Sequence, residues 1–228
     1  ASFRSSFAQS LSPAERWALP GKCRRVWTGG DATLHRIAFT DREVGECFAH
    51  RVEDYIPALR EAVGPSSAGA PPDLLIIAAC ELLTLVAGAM WRGEKWRGAD
   101  VVYASDNSNV VLWLRKRRTP NRVCRHLLRV LNLLEVLFGF TLVVVYVRTD
   151  HNHLNDDLTR FPEEDLAAVA FAAGVKLVQH GLDDFARIIQ EGWDHRTLVV
   201  PGTGRDETQF ALLLRERRLA RGPPTPLG

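Results

Sequence analysis

The sequence predicts an α/β protein. Its expected core is a mixed five-stranded sheet, an antiparallel meander joined to parallel strands, with helices on both faces and a mainly helical C-terminal extension. Three observations predict this. Between Arg25 and Val52, three short runs of strand-forming residues are broken by turn residues. Two later runs, VVYA from Val101 and TLVVVYV from Thr141, are β-branched like strands buried on both faces. Helical segments separate those two runs, and strands alternating with helices make a parallel sheet with crossovers.

The meander strands are expected near 24–31, 35–41 and 46–52. Glu53–Val63 reads as a short helix, and GPSSAGAPPD, Gly64–Asp73, as a loop or linker. Leu74–Trp91 is apolar on all sides and predicts a buried helix. Val101–Ala104 follows as a strand, Asn109–Arg117 as a helix, and Asn121–Phe138 as a longer helix with leucines at Leu127, Leu128, Leu131, Leu134 and Leu137. Thr141–Val147 is the next strand, and HNHLNDDLTRF opens a helix that Pro162 ends or kinks. Further helical pieces are expected at Asp165–Ala173, Leu182–Gln190 and Glu207–Arg221, with no chemistry-bearing motif among them. This divides the chain into an N-terminal extension (1–21), a domain (22–160, with an insert at 53–73) and a C-terminal helical extension (161–228).

At 228 residues, 46% hydrophobic and 25% charged, the chain has the composition of an ordinary globular protein. Its four cysteines, Cys23, Cys47, Cys80 and Cys124, form no CxxC pair, which argues against a zinc ribbon or disulfide scaffold. With no apolar signal core in the first twenty residues, an intracellular site, cytoplasmic or nuclear, is expected. Ala1 in place of Met suggests a processed or excised product. Leu74–Trp91 and Val130–Val147 approach the ~20 residues that span a bilayer. Each carries a carboxylate, Glu81 and Glu135, and Gly139 splits the second into helix and strand, so no membrane partner is expected.

Net charge is only +2, but RKRRTPNRVCRHLLR, Arg115–Arg129, holds seven Lys/Arg and no acid. Such a run is commonly a solvated helix face; it is also a footprint for a polyanion. A second basic run, RERRLAR, spans Arg215–Arg221.

Four carboxylates stand out. Glu81 lies mid-helix among Ile77, Cys80, Leu82, Leu83 and Leu85, where an ionised group costs several kcal/mol unless an arginine or a metal compensates it. Asp106, in VVYASDNSNVV, ends a buried strand; the plain reading is a strand-to-helix turn, the sharper one a metal ligand. Asp156 and Asp157 fall in the first turn of a helix after a buried strand, where the helix dipole favours acids anyway. Asp31, in WTGGDAT, reads locally as a turn residue. In the expected sheet the strands of Asp31 and Asp106 are neighbours, with the Glu81 helix above them. A cluster of that kind binds two Mg²⁺ ions about 4 Å apart.

From about Arg24 to Arg160 the chain resembles the ribonuclease H domains of retroelement polyproteins. The resemblance rests on DATLHRIAF, CELLTL, SDNSNVV and YVRTDHNHLNDDLTR. The last two are the most specific, since the family shows a strand ending in S/T-D-N and later H/E-N-x-x-A-D-x-L-S-R. It implies an RNase H-like fold and a nuclease that cuts the RNA strand of an RNA–DNA hybrid with two Mg²⁺ or Mn²⁺ ions. Metal roles pass to Asp31, Glu81, Asp106 and Asp156, and a product-release role to His151 beside Asn152. Nucleic-acid contacts are expected from Asn107, Arg115, Lys116, Arg117, Arg118, Arg122, Arg125 and Asn152, while Trp113 reads as core. No Y-x-D-D motif is present, so a reverse transcriptase partner is expected elsewhere in a longer polyprotein.

The chain departs from the family in placing its glycines before the first Asp, and in carrying Asn155 where a small Ala is usual. Asp41, in FTDREVG, offers an alternative first ligand, and Asp157 an alternative last. Two other readings compete with the nuclease: a non-catalytic scaffold or nucleic-acid-binding module on the same fold, and a resolvase- or transposase-like DNA-cutting domain.

Overall fold

The computed structural model describes residues 24–52 and 72–179. The N-terminal extension and the helices expected at Glu53–Val63, Leu182–Gln190 and Glu207–Arg221 lie outside the described residues.

Strands β1 (Arg25–Ala32), β2 (Arg36–Asp41) and β3 (Glu46–Arg51) form an antiparallel meander. Helix α1 (Pro72–Arg92) and a 3₁₀ turn cross over to β4 (Asp100–Ser105), which pairs parallel with β1. Helices α2 (Ser108–Lys116) and α3 (Arg122–Phe138) lead to β5 (Thr141–Tyr146), parallel with β4. Helices α4 (His153–Arg160) and α5 (Leu166–Ala172) follow, then β6 (Lys176–Leu177). The sheet order is β5-β4-β1-β2-β3-β6.

The sheet thus has six strands rather than the expected five. The sixth is two residues long, too short to carry an alternating pattern. It is fixed to β3 by backbone bonds, Lys176 N–H to Gly45 O at 2.8 Å and Val178 N–H to Cys47 O at 2.8 Å. The first part of what the sequence assigns to a separate helical extension, up to Leu177, therefore packs on the sheet, and residues 180–228 lie outside the described residues.

Successive strand residues point to opposite faces, and the two faces build two cores. Ile37, Phe39 and Phe48 face α1, α2 and α3 and join the large core with Leu82, Leu85, Trp113, Leu127 and Leu134. Ala38 and Cys47 point the other way and meet Leu158, Leu166 and Ala170 of α4 and α5. Trp113 is core, as its neighbours in the sequence suggest.

Helix α1 lies across β1 and β2 beneath the other helices of its layer. Leu75–Trp96 has the length and apolarity of a membrane span, with a mean hydropathy of 1.7, yet 83% of its apolar window is buried within this fold. Burial of each such Leu or Val contributes about 1.5–3 kcal/mol. Its apolarity is that of a core helix. The other long apolar stretch breaks at Gly139, which takes the left-handed φ of 69° and ends α3 before β5 begins.

Two glycines in β1 let both layers close onto that strand. A Cβ on Gly30 would lie 2.5 Å from Tyr103 Oη and 2.7 Å from Thr84 Cγ2. On the opposite face, a Cβ on Gly29 would lie 2.9 Å from Asn155 Nδ2. The next residue is Asp31, at the place where α1 and α4 both approach the sheet.

Candidate metal centre

Strands β1 and β4 run side by side in the same direction, with Gly29 opposite Ala104. Extending that register by two residues sets Asp31 opposite Asp106, both at the carboxyl ends of their strands. Helix α1, packed over β1, supplies Glu81 from above. One carboxylate oxygen from each of Asp31, Glu81 and Asp106 lies within 4.8 Å of the other two. Asp31 is 6% exposed and Glu81 4%.

Neutral donors hold the two buried carboxylates. Ser105 Oγ donates to Glu81 Oε2 at 2.9 Å and Asn107 Nδ2 donates to Glu81 Oε1 at 3.0 Å. These two residues flank Asp106, so Glu81 grips the turn that presents it. Asn107 also caps α2, its Oδ1 accepting from the N–H groups of Asn109 and Val110. The strand-to-helix turn is thus capped by Asn107, and Asp106 is left for the cluster. Thr159 Oγ1, on α4, lies 3.0 Å from Asp31 Oδ2 and 2.8 Å from the carbonyl of Asp156, so one hydroxyl proton serves either acceptor.

Among the described residues no ion pair reaches Asp31, Glu81 or Asp106. Of the two compensations the sequence leaves open for Glu81, an arginine or a metal, no arginine is found among the described residues. Burial, first, pushes Glu81 up to about 8; the Asn107 and Ser105 bonds oppose it and the charges of Asp31 and Asp106 add to it. Burial likewise pushes Asp31 up to about 6, against the Thr159 bond and with the charges of Asp106 and Asp156. Three acids therefore share a space without a counter-charge. An all-oxygen carboxylate set in such a place fits a hard divalent cation, which would replace the protons the cluster otherwise retains.

Asp156 stands beside this cluster. It is not one of the three convergent carboxylates, although its charge acts on Asp31. Its Oδ1 accepts from Arg160 Nε at 2.7 Å, and its side chain is 26% exposed. Asp157, the alternative, is likewise not one of the three convergent carboxylates. Asp41 lies at the far end of the sheet, opposite Thr28 in the strand register, so it does not meet Glu81. His151 is exposed on the 3₁₀ turn before α4.

Four of the expected nucleic-acid contacts serve the fold. Asn152 is buried, its Nδ2 donating to Gly30 O at 3.1 Å and its Oδ1 accepting from Asn155. Asn107 is spent on Glu81 and the helix cap. Arg115 donates to Val144 O from Nε and Nη2, pinning α2 to β5. Arg117 turns back on a left-handed backbone to pair with Glu135, Nη2 to Oε1 at 2.9 Å. Lys116, Arg118, Arg122 and Arg125 are exposed.

Sequence reasoning missed Ser105, Thr159 and Arg160 as members of the site. Each lies inside a motif it quoted, SDN or DLTR, next to or one turn from a carboxylate. A hydroxyl beside a buried acid was the available signal. No protein-family model, no curated protein and no solved structure matches this chain.

Proposed function

We propose that the protein is a metal-dependent endoribonuclease of the RNase H type, hydrolysing the RNA strand of an RNA–DNA hybrid. The observation that carries this reading is the convergence of buried Asp31 and Glu81 with half-buried Asp106, without an ion-pair partner among the described residues, where two adjacent parallel strands end beneath α1. A meander followed by two parallel strands beside β1 is also the sheet an RNase H-like fold requires.

In this reading the three acids, with Asp156 at the rim, hold two Mg²⁺ or Mn²⁺ ions. Bound there, such ions activate a water and stabilise the leaving oxygen of a phosphodiester. Ser105, Asn107 and Thr159 fix the carboxylate oxygens so that little reorganisation remains when substrate arrives. Lys116, Arg118, Arg122 and Arg125 lie at or beyond the distal end of α2. That nine-residue helix starts at the site and rises about 1.5 Å per residue. They are placed to grip phosphates at some distance from the cut. An A-form-like hybrid is read by backbone shape and 2′-hydroxyls, so little base preference is expected. A reverse transcriptase domain in the same polyprotein and an intracellular site belong to the same proposal.

A second reading, a non-catalytic scaffold on this fold, draws on one observation: Asp156 is paired with Arg160 and stands outside the convergent three. Cleavage of a labelled hybrid with Mg²⁺ or Mn²⁺ decides between them, with duplex DNA and single-stranded RNA as controls. The nuclease reading expects only the hybrid's RNA to be cut, and a loss of at least about a hundred-fold in Asp106→Asn. Folded protein that binds hybrid without cutting it supports the scaffold, and cutting of duplex DNA supports the strand-transfer alternative.

A further inference from the structure

The fourth carboxylate and its arginine form an arrangement that the cluster alone does not explain. Asp156 and Arg160 lie one turn apart on α4, paired at 2.7 Å, with the Arg160 side chain 65% exposed. Thr159, between them, ties the same helix to Asp31. The hydrogen bond and charge of Asp156 and, more weakly, the charges of Asp31 and Asp106 act on Arg160 and raise it above the ordinary arginine value. Among the described residues it pairs with the acid that stands apart and with none of the three convergent ones.

We propose that Arg160 is a positioning residue that holds Asp156 at the rim, so that the site fills in two steps. Asp31, Glu81 and Asp106 take a first divalent ion, and a second ion binds only by drawing Asp156 from Arg160. This deepens the metal-site reading above and rests on it. An exposed ion pair spaced i,i+4 is weak, so Arg160 is a bias and not a lock. The released guanidinium then stands free beside the site, where the phosphate of a substrate can replace the carboxylate it gave up. Thr159 does not move in this scheme. It keeps α4 against β1 while the Asp156 side chain changes partner.

Titration of the full chain with Mn²⁺ alone, followed by calorimetry at fixed pH, tests the arrangement without reference to catalysis. Wild type is expected to bind one ion tightly and a second more weakly. Asp156→Asn should lose the second and retain the first. Arg160→Gln should tighten the second ion by about two- to five-fold, the range an exposed pair supports, and the first by less. Arg160→Lys, which keeps the charge and can still reach one turn back, should lie closer to wild type.

Equal tightening of both ions in Arg160→Gln would reduce Arg160 to a distant charge and overturn the proposal. So would a wild type that binds one ion and matches Asp156→Asn. Either result leaves the three-carboxylate site standing, whereas a wild type that binds no ion removes the site and this inference together. Circular dichroism of each variant separates loss of binding from loss of fold.

Discussion

The two ends of the β1–β2 pair bury carboxylates to similar depth and treat them in opposite ways. At one end Asp41, 2% exposed, accepts from the indole N–H of Trp96 at 3.3 Å and from Glu43 N–H at 3.0 Å. The buried guanidinium of Arg92 lies beside it at 3.8 Å, pairs with Glu46, and stacks 3.7 Å over the ring of Trp91. At the other end Asp31 and Glu81 have hydroxyl and amide donors, two more acids nearby, and no cation in contact. Desolvation is met in the first place by opposite charge and in the second by retained protons. The compensated acid is held by the fold itself, whereas the uncompensated cluster could take a cation that brings the missing charge.

Opposite signs of mutational effect follow, and they are the sharpest way to break the comparison. Arg92→Ala leaves Asp41 and Glu46 without their cation and should cost about 3–5 kcal/mol, read from urea unfolding. Glu81→Gln removes a carboxylate that the metal-free fold disfavours. At pH 8.5 in chelator it should stabilise the protein by about 1–3 kcal/mol, while abolishing metal binding. If Glu81→Gln proves as damaging as Arg92→Ala, both ends are structural and the comparison collapses.

The pH dependence has a definite sign. Asp31, at about 6, and Glu81, at about 8, hold protons more tightly in the folded state than their ordinary values of 3.8 and 4.5 allow in the unfolded chain. Their contribution is complete at low pH and is lost as pH rises through about 4 to 8. Metal-free protein should therefore lose about 2 kcal/mol or more between pH 5 and pH 8.5, and Glu81→Gln should flatten that slope. Divalent metal affinity should rise over the same window, because binding expels those protons.

The smallest predicted effects concern the basic segment. Replacing Lys116, Arg118 and Arg125 by Ala should leave stability within about 0.5 kcal/mol. It should weaken hybrid binding and reduce the salt slope by about 2, as fewer counterions are released. Arg117→Ala should instead destabilise the fold by about 1–3 kcal/mol through its lost pair with Glu135, with little change in that slope.

Much of this site was legible from residue type and place. Glu81 declared itself as a charge in a helix apolar on every side, and Asp106 as an acid ending a β-branched strand. Their meeting followed from strand order, which the meander and the crossovers implied. Asp31 and Asp41 could not be separated, because each is an acid near a strand end. The register that sends one to Glu81 and the other to Arg92 depends on how β1 pairs with β4 on one side and with β2 on the other.

The basic run was misread in part for a related reason. A charge count does not show that Arg117 takes a left-handed turn and reaches Glu135, eighteen residues away in the chain. Asn152 does stand in the loop before α4, as its sequence context suggests, but its side chain is buried against the Gly30 carbonyl, which the sequence does not show. Strand β6 left no pattern to read, since two residues are too few to alternate; backbone bonds to the β3 edge and packing of Leu177 on the smaller core hold it.

The central claim is that the uncompensated cluster exists to receive a divalent ion. Thermal unfolding at pH 8 tests it most directly, with wild type and Asp106→Asn each measured in chelator and in millimolar Mn²⁺. The account predicts that the ion raises the wild-type midpoint by about 5 °C or more and leaves Asp106→Asn nearly unmoved. Equal midpoints for wild type with and without the ion would contradict it.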